Sequence, residues 1–190
     1  MPSKNFSDVD FSRLPIPNDD GPAAHLKGLS LPSIPLAATN GANTDLAELM
    51  GVTVVYAYPM TGRPGVPLPE GWDLIPGARG CSPQSCAFRD HVTELQALGV
   101  SHLFGLSSQE TDYQLEAATR LHLPFPLLSD ANFTLTDTLH LPTFEVEGTR
   151  LLKRLTMIIA DGKIHHVFYP VFPPDKNAEE VMRWLSASHI

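Results

Sequence analysis

Cys81 and Cys86 are the two cysteines of the chain, and they lie together in Gly80-Cys81-Ser82-Pro83-Gln84-Ser85-Cys86. Three kinds of chemistry suit such a pair. A thiolate is a nucleophile, two neighbouring thiols form a reversible disulfide, and thiolates bind soft metals. The C-x4-C spacing by itself is a weak signal, because a metal site of that spacing needs further ligands. No third cysteine is present to supply one, and His91 stands more than a helical turn beyond Cys86. Two unrelated thiols, one of them buried, are the plain alternative. Ser82 followed by Pro83 reads as a helix N-cap and then proline at the first helical position. Cys81 then falls just before the cap, where the first-turn amides are unpaired and carry partial positive charge. A thiolate is stabilised in that place, which is the activation a nucleophilic cysteine needs. On an intact helix, residues five apart have Cα atoms roughly 8–9 Å apart and point to different faces. A disulfide needs less than about 7 Å. If the two cysteines bond to each other, the helix start must loosen.

The elements that would position this pair follow from patterning. Val52 to Tyr58 is apolar nearly throughout and ends at Pro59, as befits a central strand buried on both faces. Residues 60–80 carry four prolines and five glycines and read as a long irregular loop, a kind often functional. Its apolar side chains, Val66, Leu68, Trp72, Leu74 and Ile75, either line a pocket or simply anchor the loop. The Cys81 helix continues through Phe88, Val92, Leu95 and Leu98 at helical spacing and stops at Gly99. Val100 to Leu106 is a second strand, followed by a helix over about 110–121, a short extended stretch at 124–128 and a short helix at 131–139. Leu151 to Ile159 reads as a strand, Asp161-Gly162 as a hairpin turn and Lys163 to Tyr169 as the returning strand. A last helix over 175–186 is capped by Asp175 or Asn177. Earlier in the chain, 27–36 suggests short edge strands around its prolines. Thr44 to Met50 suggests a short helix capped by Thr44 and stopped by Gly51. The alternating order demands parallel crossovers, and the hairpin adds an antiparallel edge, so an α/β fold with a mixed central sheet and helices on both faces is expected.

The residues around the cysteines narrow the chemistry. Gly80-Cys81-Ser82-Pro83-Gln84-Ser85-Cys86-Ala87-Phe88-Arg89-Asp90 resembles the Gly-Cys-Thr-x-Gln-x-Cys-x-Phe-Arg-Asp stretch of Q-type peroxiredoxins, also called bacterioferritin comigratory proteins. Val54-Val55-Tyr56-Ala57-Tyr58-Pro59 is similar to that family's strand ending in Tyr-Pro. Arg154-Leu155-Thr156-Met157-Ile158-Ile159-Ala160-Asp161-Gly162-Lys163-Ile164 is similar to its Arg-x-Ser/Thr-Phe-x-Ile-Asp-x-Asp-Gly-Lys-Ile segment. The resemblance covers about residues 27–187. It implies a thioredoxin-like fold, peroxide substrates, a thioredoxin or glutaredoxin-type reductant and no cofactor. It makes Cys81 the peroxidatic cysteine and Cys86 the resolving one, which condenses with a sulfenic acid at Cys81. Arg154 becomes the guanidinium that holds the thiolate and the peroxide oxygens. Gln84 becomes a substrate-side residue or an orienter of Arg154. One departure stands out: the family's Thr or Ser three residues before the peroxidatic cysteine is Ala78 here. Thr61, just after Pro59, is the candidate to supply that hydroxyl from across the loop. A disulfide oxidoreductase or a redox sensor, without peroxide turnover, is the alternative within the same fold.

Composition excludes other classes. The formal net charge of −8 over 190 residues disfavours nucleic acid and anionic membrane surfaces. Arg150, Lys153 and Arg154 form the one local basic cluster, and inside an apolar run it reads as a strand edge plus a site residue. No apolar run approaches a membrane span, and residues 1–22 lack an apolar signal region. A cytoplasmic enzyme, monomeric or homodimeric and without a metal, is therefore expected. Prolines at 2, 15, 17 and 22 make residues 1–26 an extended arm. Residues 27–190 form a single thioredoxin-like domain interrupted by the loop at 60–80.

Overall fold

The computed structural model describes residues 8–190; the beginning of the expected arm, residues 1–7, lies outside the described residues. Among the described residues, nine strands and five α-helices build the fold. β1 is Pro35–Ala38, β2 Asn43–Asp45, β3 Val52–Ala57, β4 Val100–Ser107 and β5 Leu127–Ser129. β6 is Thr143–Val146, β7 Thr149–Leu152, β8 Leu155–Ala160 and β9 Lys163–Phe168. The helices are α1 Cys81–Asp90, α2 Val92–Ala97, α3 Thr111–Arg120, α4 Thr134–Leu139 and α5 Asn177–Ala187. Seven strands form one sheet in the order β2-β1-β5-β4-β3-β8-β9, and β6 and β7 pair separately. β3 is parallel to β4 and antiparallel to β8, so the sheet is mixed, as the crossovers and the hairpin require.

The two central strands sort their side chains by alternation. Val54 and Ile158 pair in register and face one core, where Phe88 of α1, Leu95 of α2 and Val181 and Leu185 of α5 cover them. Val55 and Met157 pair next to them and face the other, filled by Leu135 and Leu139 of α4 and by Leu26, Leu36 and Leu46. A strand covered on both faces has no reason to alternate polar and apolar residues, and β8 is buried at every position. Tyr56 stacks on Phe88 at 4.6 Å and thereby seats α1 on β3. At the β8–β9 hairpin, Asp161 (φ 48°) and Gly162 (φ 76°) both adopt left-handed backbone, the conformation a two-residue turn between twisted strands demands.

Several expected elements differ. The helix expected at 44–50 is instead β2 followed by a 3-10 turn, Leu46–Glu48. Thr44 pairs with Leu36 of β1, and it is Asp45 that caps the turn, accepting from the Ala47 amide at 2.9 Å. The long strand expected at 151–159 is divided: residues 151 and 152 close a hairpin with β6, whose turn is Glu147 (φ 49°) and Gly148 (φ 75°). Helix α1 starts at Cys81 with Gly80 at its N-cap, two residues earlier than the Ser-Pro signal suggests, and it breaks at His91 before α2. Neither Asp175 nor Asn177 caps the last helix. A 3-10 turn, Pro174–Lys176, leads into α5, and Lys176 occupies its N-cap. The loop at 60–80 holds a 3-10 turn at Trp72–Leu74. Of the arm, residues 11–13 form a 3-10 turn, and Ala23 and Leu26 already belong to the core.

Candidate active site

The register of β3 against β8 fixes where the site forms. Ala57, at the end of β3, pairs with Leu155, at the start of β8, so Arg154 stands beside the chain that leaves β3. That chain runs through the loop and returns as α1, whose first residue is Cys81. Gly80 makes the return possible. Its φ is 119°, and a Cβ there would lie 2.8 Å from both Phe11 Cε1 and Pro174 Cγ.

Cys81 is 4% exposed and Arg154 3% exposed. Arg154 Nη2 donates to Cys81 Sγ at 3.2 Å and to the Ala78 carbonyl at 3.0 Å. Nε donates to the Gly77 carbonyl at 3.3 Å, and Nη1 donates to Gln84 Oε1. None of these partners is a carboxylate. A buried guanidinium favours an anionic partner, and the Cys81 sulfur is the one group among these that can carry a negative charge. Gln84 is fully buried, and its Nε2 donates to Asn177 Oδ1 at 3.0 Å. Both ends of its amide are therefore hydrogen-bonded inside the protein, Oε1 to Arg154 and Nε2 to Asn177. Asn177 Oδ1 also accepts from the Thr156 hydroxyl at 2.6 Å, and its Nδ2 donates to Glu180 at 3.3 Å. Thus β8, α1 and α5 share one buried polar chain that ends on the sulfur. Beneath it, the Tyr56 hydroxyl donates to Ser85 at 2.9 Å, and burial pushes the Tyr56 and Tyr58 phenols up, keeping both protonated.

The other residues singled out in the sequence are placed as follows. Cys86 shares α1 with Cys81, is half-buried, and neither cysteine is in a disulfide. Thr61 is buried, but its hydroxyl donates to Gln109 Oε1 at 3.3 Å and its amide to the same oxygen at 3.0 Å. Among the described residues, no hydrogen bond joins it to the Cys81 sulfur. A depression of about 10 Å3 opens at Cys81, roughly the room of one water molecule. Ser82 is its one hydroxyl-bearing lining residue. Arg79 lines it too, with its guanidinium held by Asp73 at 3.1 Å. Asn177 was visible in the sequence only as a possible helix cap. Its role in the buried chain has no local signal, because the two side chains that donate to it, Gln84 and Thr156, lie far away along the sequence. Among the described residues, no cluster of three or more His, Cys, Asp or Glu side chains could hold a metal, and no helix is long and apolar enough to cross a membrane.

A helix-start cysteine beside a buried arginine, at the end of the central strand of a thioredoxin-like sheet, defines a thiol-based redox protein. Residues 22–182 match the Redoxin family, and the chain belongs to it. It is 26% identical over 163 residues to chloroplastic peroxiredoxin Q of Gentiana triflora, covering 85% of this chain and 67% of that one. It is 29% identical over 164 residues to peroxiredoxin Bcp of Escherichia coli (strain K12), covering 81% and 91%. Among solved structures it is similar to peroxidoxin BcpB of Mycobacterium tuberculosis, with a TM-score of 0.69, 25% identity and coverage of 87% and 100%. The Xanthomonas campestris peroxiredoxin Q structure shares the fold, with a TM-score of 0.64 at 21% identity over 84% of this chain and 96% of that one.

Proposed function

We propose that the protein is a thiol-dependent peroxidase that reduces hydrogen peroxide or an organic hydroperoxide at Cys81. The observation that carries this reading is the 3.2 Å contact between Arg154 and the Cys81 sulfur, made by a buried cation that has no carboxylate partner among the described residues. In the first step the Cys81 thiolate attacks the terminal peroxide oxygen. A sulfur–oxygen bond forms, the oxygen–oxygen bond breaks, and the leaving oxygen takes a proton and departs as water or an alcohol. Cys81 is left as a sulfenic acid. Arg154 holds the thiolate before the step and faces the charge that develops on the leaving oxygen during it.

Cys86 then resolves the sulfenic acid. A sulfur–sulfur bond forms, the sulfur–oxygen bond breaks, and water leaves. Because both cysteines lie within one turn-and-a-half of α1, this second step follows opening of the helix start. A dithiol reductant of the thioredoxin or glutaredoxin type restores the two thiols by exchange, supplying two electrons and two protons. A reducing, cytoplasmic setting suits a pair that must be re-reduced in every cycle.

Mass spectrometry after one equivalent of peroxide tests the reading. Wild-type protein should carry an internal Cys81–Cys86 disulfide, and Cys86→Ser should trap a sulfenic acid at Cys81. Thiol-dependent peroxidase activity that survives Cys81→Ser would overturn it. Disulfide reduction without reaction at peroxide would instead mark a protein disulfide oxidoreductase.

A further inference from the structure

Residues 8–20 precede the family match, which begins at residue 22, yet they lie along the segment that carries the site. Phe11 packs on Gly80: its Cε1 would be 2.8 Å from a Cβ placed there, and Pro174 presses from the other side at the same distance. The Phe11 ring also meets Phe172 edge-on at 6.2 Å. The turn that presents Phe11 is capped by Asp10, which accepts from the Ser12 amide at 3.1 Å and pairs with Arg13 at 3.2 Å. Further along, Pro17 sits on Gly77, 3.5 Å from where a Cβ would be. Asp20 accepts from the Tyr169 hydroxyl at 3.3 Å and faces Lys153 Nζ at 3.9 Å. Gly77 and Ala78 present the carbonyls that hold Arg154, and Gly80 is the N-cap of α1. Three successive points of the arm therefore touch the backbone leading into Cys81 and the chain that backs it at 169–174.

We propose that residues 8–20 form a strap over the start of α1, and that Phe11 is a positioning residue which holds Cys81 in its helical place and opposes the opening that a Cys81–Cys86 disulfide requires. The contact stands on geometry alone; its consequence for turnover rests on the peroxidase reading. The strap favours the state in which Cys81 meets Arg154, and it sets how long a sulfenic acid waits before Cys86 reaches it. Linkage makes the effect reciprocal. Whatever factor the strap contributes against opening, formation of the disulfide contributes against the strap.

Hydrogen exchange on the reduced full-length protein tests the strap without any peroxide. In Phe11→Ala the amides of Gln84, Ser85 and Cys86 should exchange about three- to tenfold faster, while those of β3 and β8 are unchanged. Phe11→Leu should recover most of the protection, and Asp20→Asn, at an exposed site, should shift exchange in the same direction by less. Oxidation with diamide adds a second readout, in which the two thiols pass two electrons and two protons to the azo group and the disulfide forms. Its rate should rise by the same factor in Phe11→Ala, and in the oxidised wild type the Arg13 and Leu14 amides should lose protection. Unchanged exchange at 84–86 in both Phe11→Ala and Asp20→Asn overturns the strap and leaves the peroxidase reading standing. Faster exchange in a protein that never reduces peroxide supports the strap and removes the peroxidase reading.

Discussion

At the scale of single residues, the site depends on how one buried charge is satisfied. Arg154 spends its donors on two carbonyls, on Gln84 and on the Cys81 sulfur. Replacing it with Gln removes the charge and should lower the rate constant for hydrogen peroxide by about 10²–10³, measured by competition kinetics. Arg154→Lys should not restore it, because an ammonium cannot reach sulfur, carbonyls and amide in one plane. Asn177 acts two contacts away. Asn177→Ala leaves Gln84 Nε2 and the Thr156 hydroxyl without their shared acceptor, at a cost of about 1–3 kcal/mol in denaturant unfolding. The hydroxyl absent at Ala78 raises a separate question, which two variants answer. Thr61→Val should leave the peroxide rate little changed, since its hydroxyl belongs to Gln109, whereas Ser82→Ala alters the lining of the depression at Cys81. A rate that falls for Thr61→Val and not for Ser82→Ala would contradict this placement.

At the scale of elements, the loop at 60–80 and helix α5 lead to different expectations. Trp72 is 3% exposed and packs with Ala78 and Leu151, joined by Leu68, Ile75 and Phe144, so Leu68, Trp72 and Ile75 anchor the loop while Val66 and Leu74 stay exposed. Between it and the β6–β7 hairpin lies a cleft of about 820 Å3. Met60 and Leu68 line both this cleft and the depression at Cys81. Leu68→Ser should therefore lower kcat/KM for a bulky organic hydroperoxide more than for hydrogen peroxide; an equal change for both would assign the loop to structure alone. Helix α5 rests on β9 through His166, which stacks on Trp184 at 4.7 Å. Burial, and then the Lys27 charge, hold His166 below the ordinary histidine range. As pH falls below about 6.5, the unfolded chain takes up this proton before the folded one does. The contribution of His166 to stability is thus present at neutral pH and is lost as pH falls through its lowered value. An NMR titration should find the midpoint below the model-peptide value, and Trp184 fluorescence should follow it.

For the whole molecule, the close approach at Gly80 joins arm, site and C-terminal helix. Gly80→Ala places a methyl against Phe11 and Pro174 in a backbone region that side chains avoid, and should destabilise the fold by about 1–3 kcal/mol in thermal or denaturant unfolding. Much of the architecture is local in origin. Val52 to Ala57 and Leu155 to Ala160 are apolar but for one threonine each because both faces are covered, and Asp161-Gly162 marks the hairpin because few other pairs tolerate its backbone. Short or competing signals misled: Thr44 to Met50 has helical composition, yet the backbone of β2 finds a better partner in β1. The position of Cys81 at a helix start, the need for that start to open if Cys86 is its partner, and the family to which these motifs belong were all written in neighbouring residues. The resemblance named Arg154 as the guanidinium for Cys81, but the contacts that hold it, the spending of Thr61 on Gln109, the buried chain through Gln84 and Asn177, and the arm across Gly80 were decided only by the tertiary structure. Those contacts join residues far apart in the chain, and the burial that makes each hydrogen bond obligatory exists only once the sheet and its helices have closed around them.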